Sequence, residues 1–349
     1  MITQDLDILQ NIINHIDKWV NIFMLKSTSV TIYHNLQGGI LDIYCNDCIK
    51  HWKSDEYQII QFLDYYPKTR YLSLEGNYTI NRNMFDNLLV KELGNIYQLE
   101  YWYNKNILRK LDVYLPNLFH LSVSGDNHIT DDILYFLPNL KYLHLPSNEL
   151  ITDTSIGILT KLEYVNLENN TKITDNGISK LKQLNTLILS NNPYLSNIGI
   201  KELTKLEKLD IYWNNTINSN VFQYLNIKSL KIRKNIFNTL DSIHHIKNIK
   251  NLHIGEGNNL TDNDIIQLKN LEELYIEKNN KITDFTLLSL DNLKTITLFE
   301  NTLISNKGIL ASKKLERIFL QSNILITNKV IKQLSNLTVI HTRNINFSK

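Results

Sequence analysis

The fold is decided by two consecutive stretches that follow one pattern, LEYVNLENNTKITDNGISKLKQ at 162–183 and LNTLILSNNPYLSNIGIKELTK at 184–205. In each stretch the first, fourth and sixth positions are apolar, the ninth is asparagine, and an apolar residue followed by a small polar pair comes next. Each repeat of the pattern starts 22 residues after the last, except for one step of 21. The first positions are Leu118, Leu140, Leu162, Leu184, Leu206, Ile227, Ile249, Leu271, Leu293, Leu315 and Leu337. A fixed period of this kind predicts a solenoid, in which each unit buries its apolar face against its neighbours.

Each unit is predicted to contain a short strand, a turn and a helix. Apolar residues alternate over the fourth to sixth positions, which indicates a strand with one buried face. The ninth-position amides can both donate and accept hydrogen bonds at the turn that leaves the strand. They are Asn104, Asn148, Asn170, Asn192, Asn214, Asn235, Asn279, Asn301 and Asn323, and the row is interrupted at Asp126 and Gly257. The Thr-Asp and Ser-Asn pairs that follow are typical of helix N-caps. The predicted fold class is α/β, a horseshoe with a parallel sheet on its concave side and helices on its convex side.

The ITDNGI segment at Ile173–Ile178 resembles the repeats of F-box/leucine-rich-repeat proteins. Those repeats are often a few residues longer and carry cysteine where this chain has asparagine. Internalin repeats share the 22-residue length of this chain, but they place the isoleucine one residue sooner after the asparagine. The resemblance implies a leucine-rich-repeat domain over residues 67–349, opened by a degenerate first unit at Tyr71–Asn77.

Residues 1–66 do not follow the repeat and are predicted to form a separate helical segment. Apolar residues at helical spacing from Leu6 to Ile16, and a second apolar cluster at Val20–Leu25, predict two helices. This opening resembles a divergent F-box, although the Leu-Pro dipeptide and the Trp of that motif are absent. The resemblance implies contacts with a Skp-type adaptor through Leu9, Ile12, Ile13, Ile16 and Phe23. The alternative is a helical cap that shields the first repeat, which solenoids require.

Composition and motifs argue against several classes of function. A net charge of +2 does not fit a nucleic-acid binder. No apolar run approaches the ~20 residues of a membrane span, and the start MITQDLDILQ lacks the basic region of a secretory signal, so an intracellular, cytoplasmic location is expected. Cys45, Cys48 and His51 have zinc-site spacing, but there is no second cysteine pair, so no metal or cofactor is predicted. No catalytic motif such as GxSxG or HExxH occurs, and no enzyme activity is predicted.

The candidate binding residues are the large side chains that face outward from the strands. They lie at the third, fifth, seventh and eighth positions of the units. Aromatic and arginine side chains are frequent at interface hot spots, because they bury much area at low entropic cost. The candidates are Trp102, Tyr103, Tyr142, His144, Tyr164, Tyr212, Trp213, Arg233, Lys234, Tyr275, Phe299 and Phe319. The alternative is that neighbouring rings pack on each other as cross-strand pairs.

Taken together, these features predict a protein–protein interaction scaffold with a protein partner on its concave face. The resemblance implies the substrate-recruiting subunit of a cullin-type ubiquitin ligase, with the Skp-type adaptor at the N-terminus. The alternative is a stand-alone leucine-rich-repeat binding module without a ubiquitin link. The single alanine, Ala311, and the abundance of Asn, Ile, Lys and Tyr indicate an AT-rich genome, such as that of a giant virus or a protist. In a virus the expected location is the host cytoplasm.

Overall fold

The structure is a computed structural model that describes the repeats more fully than the N-terminal part. It describes residues 117–124, 129–234 and 245–343 with their side chains, and the backbone of residues 30–35, 40–45, 71–75, 98–102 and 243–244. The chain divides into two compact units, Met1–Leu140 and Lys141–Lys349. The helices predicted within residues 6–25 lie outside the described residues, as do Leu9, Ile12, Ile13, Ile16 and Phe23.

The first unit contains an antiparallel strand pair and three parallel strands. Its described elements are β1 (Val30–Asn35), β2 (Ile40–Cys45), β3 (Tyr71–Glu75), β4 (Gln98–Trp102), β5 (His120–Ser124) and helix α1 (Asp131–Tyr135). β1 pairs with β2, so the helical segment predicted for residues 1–66 does not extend over these strands. Both are rich in β-branched and aromatic residues, which favour extended backbone. β3, β4 and β5 pair in parallel, and β3 lies on the degenerate unit predicted at Tyr71–Asn77.

The second unit is a solenoid whose strands follow one another in chain order. Its described strands are β6 (Tyr142–His144), β7 (Tyr164–Asn166), β8 (Thr186–Ile188), β9 (Lys208–Asp210), β10 (Ser229–Ile232), β11 (Asn251–Ile254), β12 (Glu273–Glu277), β13 (Thr295–Phe299), β14 (Arg317–Gln321) and β15 (Val339–Arg343). Strands that are neighbours in this series pair in parallel. The register follows the sequence repeat: Tyr164 lies opposite Thr186, 22 residues on, and Lys208 lies opposite Ser229, across the one short step. The predicted parallel sheet is confirmed.

The helices of the second unit are short, most of them a single turn. They are α2 (Asp153–Ile156), α3 (Asp175–Ile178), α4 (Asn197–Ile200), the 3-10 helices η1 (Ser219–Tyr224) and η2 (Ile243–Ile246), α5 (Asp262–Ile265), α6 (Asp284–Leu288), α7 (Asn306–Ala311) and α8 (Asn328–Ile331). η1 belongs to the unit that is one residue short. Among the described residues, no helix is long and apolar enough to cross a membrane.

The apolar positions of the repeat form the core, as the sequence predicted. Leu184, Leu187 and Leu189, at the first, fourth and sixth positions of one unit, are fully buried. Ile200 of α4 and Leu203, which follows it, are also fully buried. Apolar side chains from the strand and the helix of each unit therefore fill one continuous core that runs along the second unit.

The asparagine row bonds the turns, also as predicted. Asn214 is fully buried, its Oδ1 accepts from the N–H groups of Thr216 and Ile217 at 3.1 and 2.9 Å, and its Nδ2 donates to the carbonyl of Asn192 at 2.9 Å. Asn148, Asn279 and Asn301 accept in the same way. Asn170 and Asn192 donate, but the Oδ1 atom of each has no hydrogen-bond partner. Each full set of bonds satisfies backbone groups of two adjacent units.

The small polar pairs cap the helices and, in addition, join neighbouring units. The Thr174 hydroxyl accepts from the N–H of Asn176 at 3.3 Å, which is the predicted N-cap bond. The carboxylate of Asp175 accepts from the N–H and hydroxyl of Ser196 in the next unit, at 2.8 and 2.6 Å. Gly199 leaves room for this carboxylate, because a Cβ there would lie 2.4 Å from Asp175 Oδ1. The sequence predicted the caps, but it did not predict that these aspartates also link neighbouring repeats.

Candidate functional site

The sheet face of the second unit consists of the side chains at the third, fifth and seventh positions of each repeat. Beside it runs a row of eighth-position residues, where the chain turns out of the strand. The described candidates are all on this face or in this row, but they do not form one cluster. They lie on strands from β6 to β14 and in the turns after β9 and β10. The side chain of Trp102 and all of Tyr103 lie outside the described residues.

Several of the candidate rings pack across neighbouring strands. Tyr142 and Tyr164 stack with their ring centroids 4.0 Å apart and their planes 7° from parallel. Burial raises the pKa of the Tyr164 hydroxyl, and a hydrogen bond with Tyr142 raises it further. His144 Nδ1 lies 3.2 Å from the side-chain Nδ2 of Asn166 on the next strand. These side chains therefore have partners within the sheet face, as the cross-strand alternative predicts.

The same pairing occurs near the C-terminal end of the sheet. Tyr275 packs on His253 with centroids 3.7 Å apart, and Phe319 stacks on His341 at 5.1 Å. Burial, followed by the charge of Glu277, raises the pKa of the Tyr275 hydroxyl. Phe299, on β13, is half-buried.

The eighth position has a left-handed backbone. It is occupied by Ser147, Asn169, Asn191, Trp213, Lys234, Lys278, Glu300 and Ser322, whose φ angles lie between +49° and +59°. Asparagine tolerates this conformation, whereas a bulky side chain such as tryptophan rarely adopts it. In the unit that starts at Ile249 the positive φ moves one residue on, to Gly257 at +79°. Trp213 is therefore placed where the fold itself favours a small or amide residue.

We use the name Trp213 corner for Tyr212, Trp213, Arg233 and Lys234. The Trp213 side chain stacks on Tyr212 at a centroid distance of 4.8 Å and is still 46 % exposed. Lys234 Nζ lies 4.9 Å from the Trp213 ring centroid, and the Arg233 guanidinium carbon lies 5.0 Å from that of Tyr212. Both distances are within the range of a cation–π contact. The structure thus brings together four predicted residues in one group, in which Trp213 is exposed and the other three are half-buried.

Arg233 is held in place from the far side by an ion pair. Its Nη2 atom lies 2.9 Å from Oε1 of Glu277, whose side chain is 7 % exposed and which is two strands away. Arg233 and Glu277 occupy the seventh position of their repeats, and Gly255 occupies the same position in the repeat between them. A Cβ at Gly255 would lie 2.3 Å from Arg233 Cγ. Gly255 therefore leaves the gap through which Arg233 reaches Glu277, and the pair braces the Tyr212 side of the Trp213 corner.

His253 is a half-buried neutral group beside this brace. Burial, followed by the positive charges of Lys231 and Arg233, lowers the pKa of His253 to about 4. Its Nε2 atom is buried and has no hydrogen-bond partner. Protonation of His253 would add a third positive charge beside Lys231 and Arg233 on the sheet face.

This shift predicts a pH dependence of stability. The His253 pKa is lowered from 6.5 to about 4, so between these values the unfolded chain binds a proton that the folded chain does not. The free energy of unfolding should therefore fall as the pH drops from about 6.5 toward 4. We expect His253→Gln to lose less stability than wild type over this range, measured by urea denaturation at each pH. His245→Gln, at an exposed histidine, is the control; equal pH dependence of wild type and His253→Gln would contradict the prediction.

Two carboxylates on the sheet face have raised pKa values, whereas the pKa of His253 is lowered. Burial, followed by the charge of Asp210, raises the pKa of Glu168. Burial also raises the pKa of Asp210, although Lys231 and hydrogen bonds from Tyr212 and Ser190 oppose the shift. These groups stabilise the folded chain as the pH falls through their raised pKa values. Wild type and His253→Gln both contain these two carboxylates. Their contribution therefore cancels when the free energies of unfolding of the two proteins are compared at each pH.

A row of ion pairs lies at the edge where the strands begin. Glu272 accepts from Lys250 and Lys294, both at 2.8 Å, and these hydrogen bonds lower the Glu272 pKa to about 2. A groove of about 510 Å³ along this edge is lined by Asn226, Lys228, Asn248, Lys250, Asn270, Glu272, Asn292, Lys294 and Lys314. Most of these groups bond to each other, as Lys314 does to Asn292 at 2.8 Å, or to the backbone of the preceding repeat, as Asn292 does to the carbonyl of Lys269 at 3.0 Å. This row is consistent with a structural role in joining the units.

Reasoning from the sequence missed His253, Gly255 and Glu277. The available signal was the repeat itself: Arg233, Gly255 and Glu277 all occupy the seventh position of successive units. When the seventh-position residues of successive repeats are compared, the positive Arg233 and the negative Glu277 stand on either side of Gly255. The short spacing between strands then brings them within reach of an ion pair.

Comparison with known proteins agrees with this architecture. Residues 247–290 match the family model described as leucine-rich repeats (2 copies). An internalin, InlF from Listeria monocytogenes, is 22% identical, covers 74% of this chain and 84% of its own, and superposes with a TM-score of 0.51. The functional domain of InlJ from Listeria monocytogenes is 18% identical, with 88% and 64% coverage and a TM-score of 0.54. A chain of the Drosophila Toll–Spätzle complex is 19% identical, with 82% and 46% coverage and a TM-score of 0.50.

None of the curated proteins matches the chain significantly. The likenesses to solved structures, all below 25% identity, concern the fold alone. These likenesses, the match over residues 247–290 and the strand–turn–helix repeats within Lys141–Lys349 confirm the leucine-rich repeats predicted from the sequence. The fold is a leucine-rich-repeat solenoid.

Proposed function

We propose that this chain is a protein-recognition module that binds its partner through the sheet face, with the Trp213 corner as the principal anchor. One observation carries this proposal: Trp213 combines a left-handed backbone with a side chain that is 46 % exposed. Backbone strain of this kind costs about 1–3 kcal/mol and tends to persist at functional sites. Nothing in the packing of the repeat calls for a tryptophan there, because Asn169 and Asn191 occupy the same position in other units.

The stacked pairs elsewhere on the face support this choice of anchor. Tyr142, Tyr164, Tyr275 and Phe319 each cover part of a neighbouring ring across the strands. Arg233 is fixed by Glu277 before any partner arrives. A preorganised aromatic group of this kind loses little side-chain entropy on binding. The Toll–Spätzle structure is a complex of a protein with this fold and another protein, which is consistent with a protein partner here.

The experiment that tests this function compares the capture and affinity of a protein partner by the wild-type chain and by Trp213→Asn. Tyr224→Asn is the matched control, because Tyr224 is 55 % exposed but belongs to η1, away from the strands. Selective loss of binding in Trp213→Asn supports the proposal. Equal loss in both variants, or in neither, would place recognition elsewhere.

We further propose that the partner is the target protein of a cullin-type ubiquitin ligase and that residues 6–25 dock a Skp-type adaptor. The support is the apolar pattern from Leu6 to Leu25, which resembles an F-box, followed by ITD-type repeats in the order usual for that family. This role would place the protein in the cytoplasm. A stand-alone binding module with a helical cap remains the second candidate, because solenoids need their first repeat shielded.

Charged substitutions test the adaptor role. We expect Ile12→Asp or Phe23→Asp to abolish co-purification with a Skp-type adaptor while circular dichroism shows that the repeats remain folded. The reason is that a carboxylate in an apolar docking surface is costly to desolvate. Asn14→Asp adds the same charge at a polar position of the same predicted helix and should leave binding intact. If the wild-type chain binds no Skp-type adaptor, the capping role is the correct one.

A further inference from the structure

The charges around the Trp213 corner are not evenly paired. Four cations lie on β9, on β10 and at the turn after β10: Lys208, Lys231, Arg233 and Lys234. Lys231 Nζ is 3.9 Å from Asp210, and Arg233 Nη2 is 2.9 Å from Glu277. Two of the four cations thus have a carboxylate partner within the sheet face.

Lys208 and Lys234 have no carboxylate within 4.0 Å among the residues that the structure describes. The nearby carboxylate of Glu207 is bound to Lys228. Further along the eighth-position row, Glu256 and Glu300 lie 3.9 and 3.8 Å from Lys278. Asp210 and Glu277 pair with Lys231 and Arg233, which leaves Lys208 and Lys234 as the two cations of this group without a carboxylate at ion-pair distance among the described residues.

The spacing of these groups fits an extended chain. Lys234 Nζ is in contact with the Trp213 ring, whereas Lys208 is five residues before Trp213 in the same unit. At about 3.3 Å per residue, five residues span at most roughly 16 Å, and less here because Trp213 lies in the turn after β9. A partner segment in extended conformation would need one carboxylate beside its apolar anchor and a second one within about five residues.

We infer that the Trp213 corner recognises an acidic, extended segment of its protein partner, in which an apolar side chain packs on Trp213 and flanking carboxylates pair with Lys234 and Lys208. This inference rests on the proposed function of the sheet face. Charges of opposite sign on the two partners steer their encounter and make their association depend on the salt concentration. Arg233 contributes by positioning Tyr212, because its own charge is paired with Glu277.

The test uses the full chain and two fluorescein-labelled peptides, Glu-Ser-Thr-Ser-Thr-Phe-Glu and its neutral counterpart Gln-Ser-Thr-Ser-Thr-Phe-Gln, with affinity measured by fluorescence anisotropy. At low ionic strength we expect the acidic peptide to bind at least about tenfold more tightly than the neutral one. The double variant Lys208→Gln/Lys234→Gln should lose about five- to tenfold in affinity for the acidic peptide and most of its salt dependence. The control Lys182→Gln/Lys201→Gln makes the same change in net charge at two exposed lysines outside the strands and should change affinity less than about twofold.

Three outcomes would overturn the inference that the partner segment is acidic. They are equal binding of the two peptides, equal loss of affinity in both double variants, and no binding of the acidic peptide. In that case a Trp213→Asn variant that still loses its natural partner would leave the proposed function standing. If the acidic peptide binds normally to Trp213→Asn, the site itself is misplaced, and both proposals fail at this corner.

Discussion

Leu187→Ala should lower the free energy of unfolding by about 2–5 kcal/mol, the usual cost of removing a buried leucine side chain. Leu187 is fully buried at the fourth position of its unit, on β8 in the middle of the described array. The unit stacks on β7 and β9, so its core side chain lies between two neighbours that cannot close the cavity without moving their own strands. The measurement is chemical denaturation followed by circular dichroism.

Ile188→Ala is the matched control for this variant. Ile188 is the next residue on the same strand, of the same size, and it faces the half-exposed side of the sheet. Its loss should cost less than about 1.5 kcal/mol, because little of the removed surface was buried. Similar destabilisation by the two variants would show that the alternation along β8 is assigned wrongly.

Trp213→Asn should weaken binding of the protein partner by at least about 2 kcal/mol, roughly 30-fold, if Trp213 is the hot spot of the interface. The same variant should leave the free energy of unfolding within about 1 kcal/mol of wild type. Asparagine is at ease at positive φ, and this gain offsets the lost contacts with Tyr212 and Lys234. Calorimetric titration and thermal denaturation of the same samples measure the two quantities.

The two readouts separate the possible errors. A large loss of stability in Trp213→Asn would mean that the indole supports the fold, and the assignment of this residue to recognition would be wrong. Normal affinity with normal stability would move the recognition site toward the other predicted aromatic residues, around Trp102 and Tyr142.

The sequence was sufficient to predict the architecture, because in a solenoid each unit contacts its neighbours at the same positions. The apolar spacing around Leu187 predicts the buried face, and the recurrence of Asn214 and its equivalents predicts the bonded turn. The helices are shorter than a capped apolar run suggests, and in the short unit the helix is of the 3-10 type. The adaptor residues at the N-terminus stay a prediction.

The candidate site could be predicted only in part. Its residues were found, because exposed aromatic side chains on a strand are conspicuous in the repeat. Two features were not found, since they depend on backbone conformation and on contacts over two strands: the left-handed turn at Trp213, and the reach of Arg233 past Gly255 to Glu277. The pairing of Tyr142 with Tyr164 also needed the structure, which placed the rings face to face.

The left-handed eighth position has a consequence for how such a surface can evolve. Serine, asparagine, lysine, glutamate and tryptophan all occupy it with φ angles within 10° of one another. The turn is fixed by the buried asparagine that follows and not by the residue in the turn itself. Mutation at this position can therefore exchange charge, size and aromaticity one repeat at a time without changing the turn, at a cost in backbone strain that is lowest for asparagine and higher for a bulky residue such as tryptophan. A row of such sites would let descendants of one ancestral array change partners without rebuilding their cores.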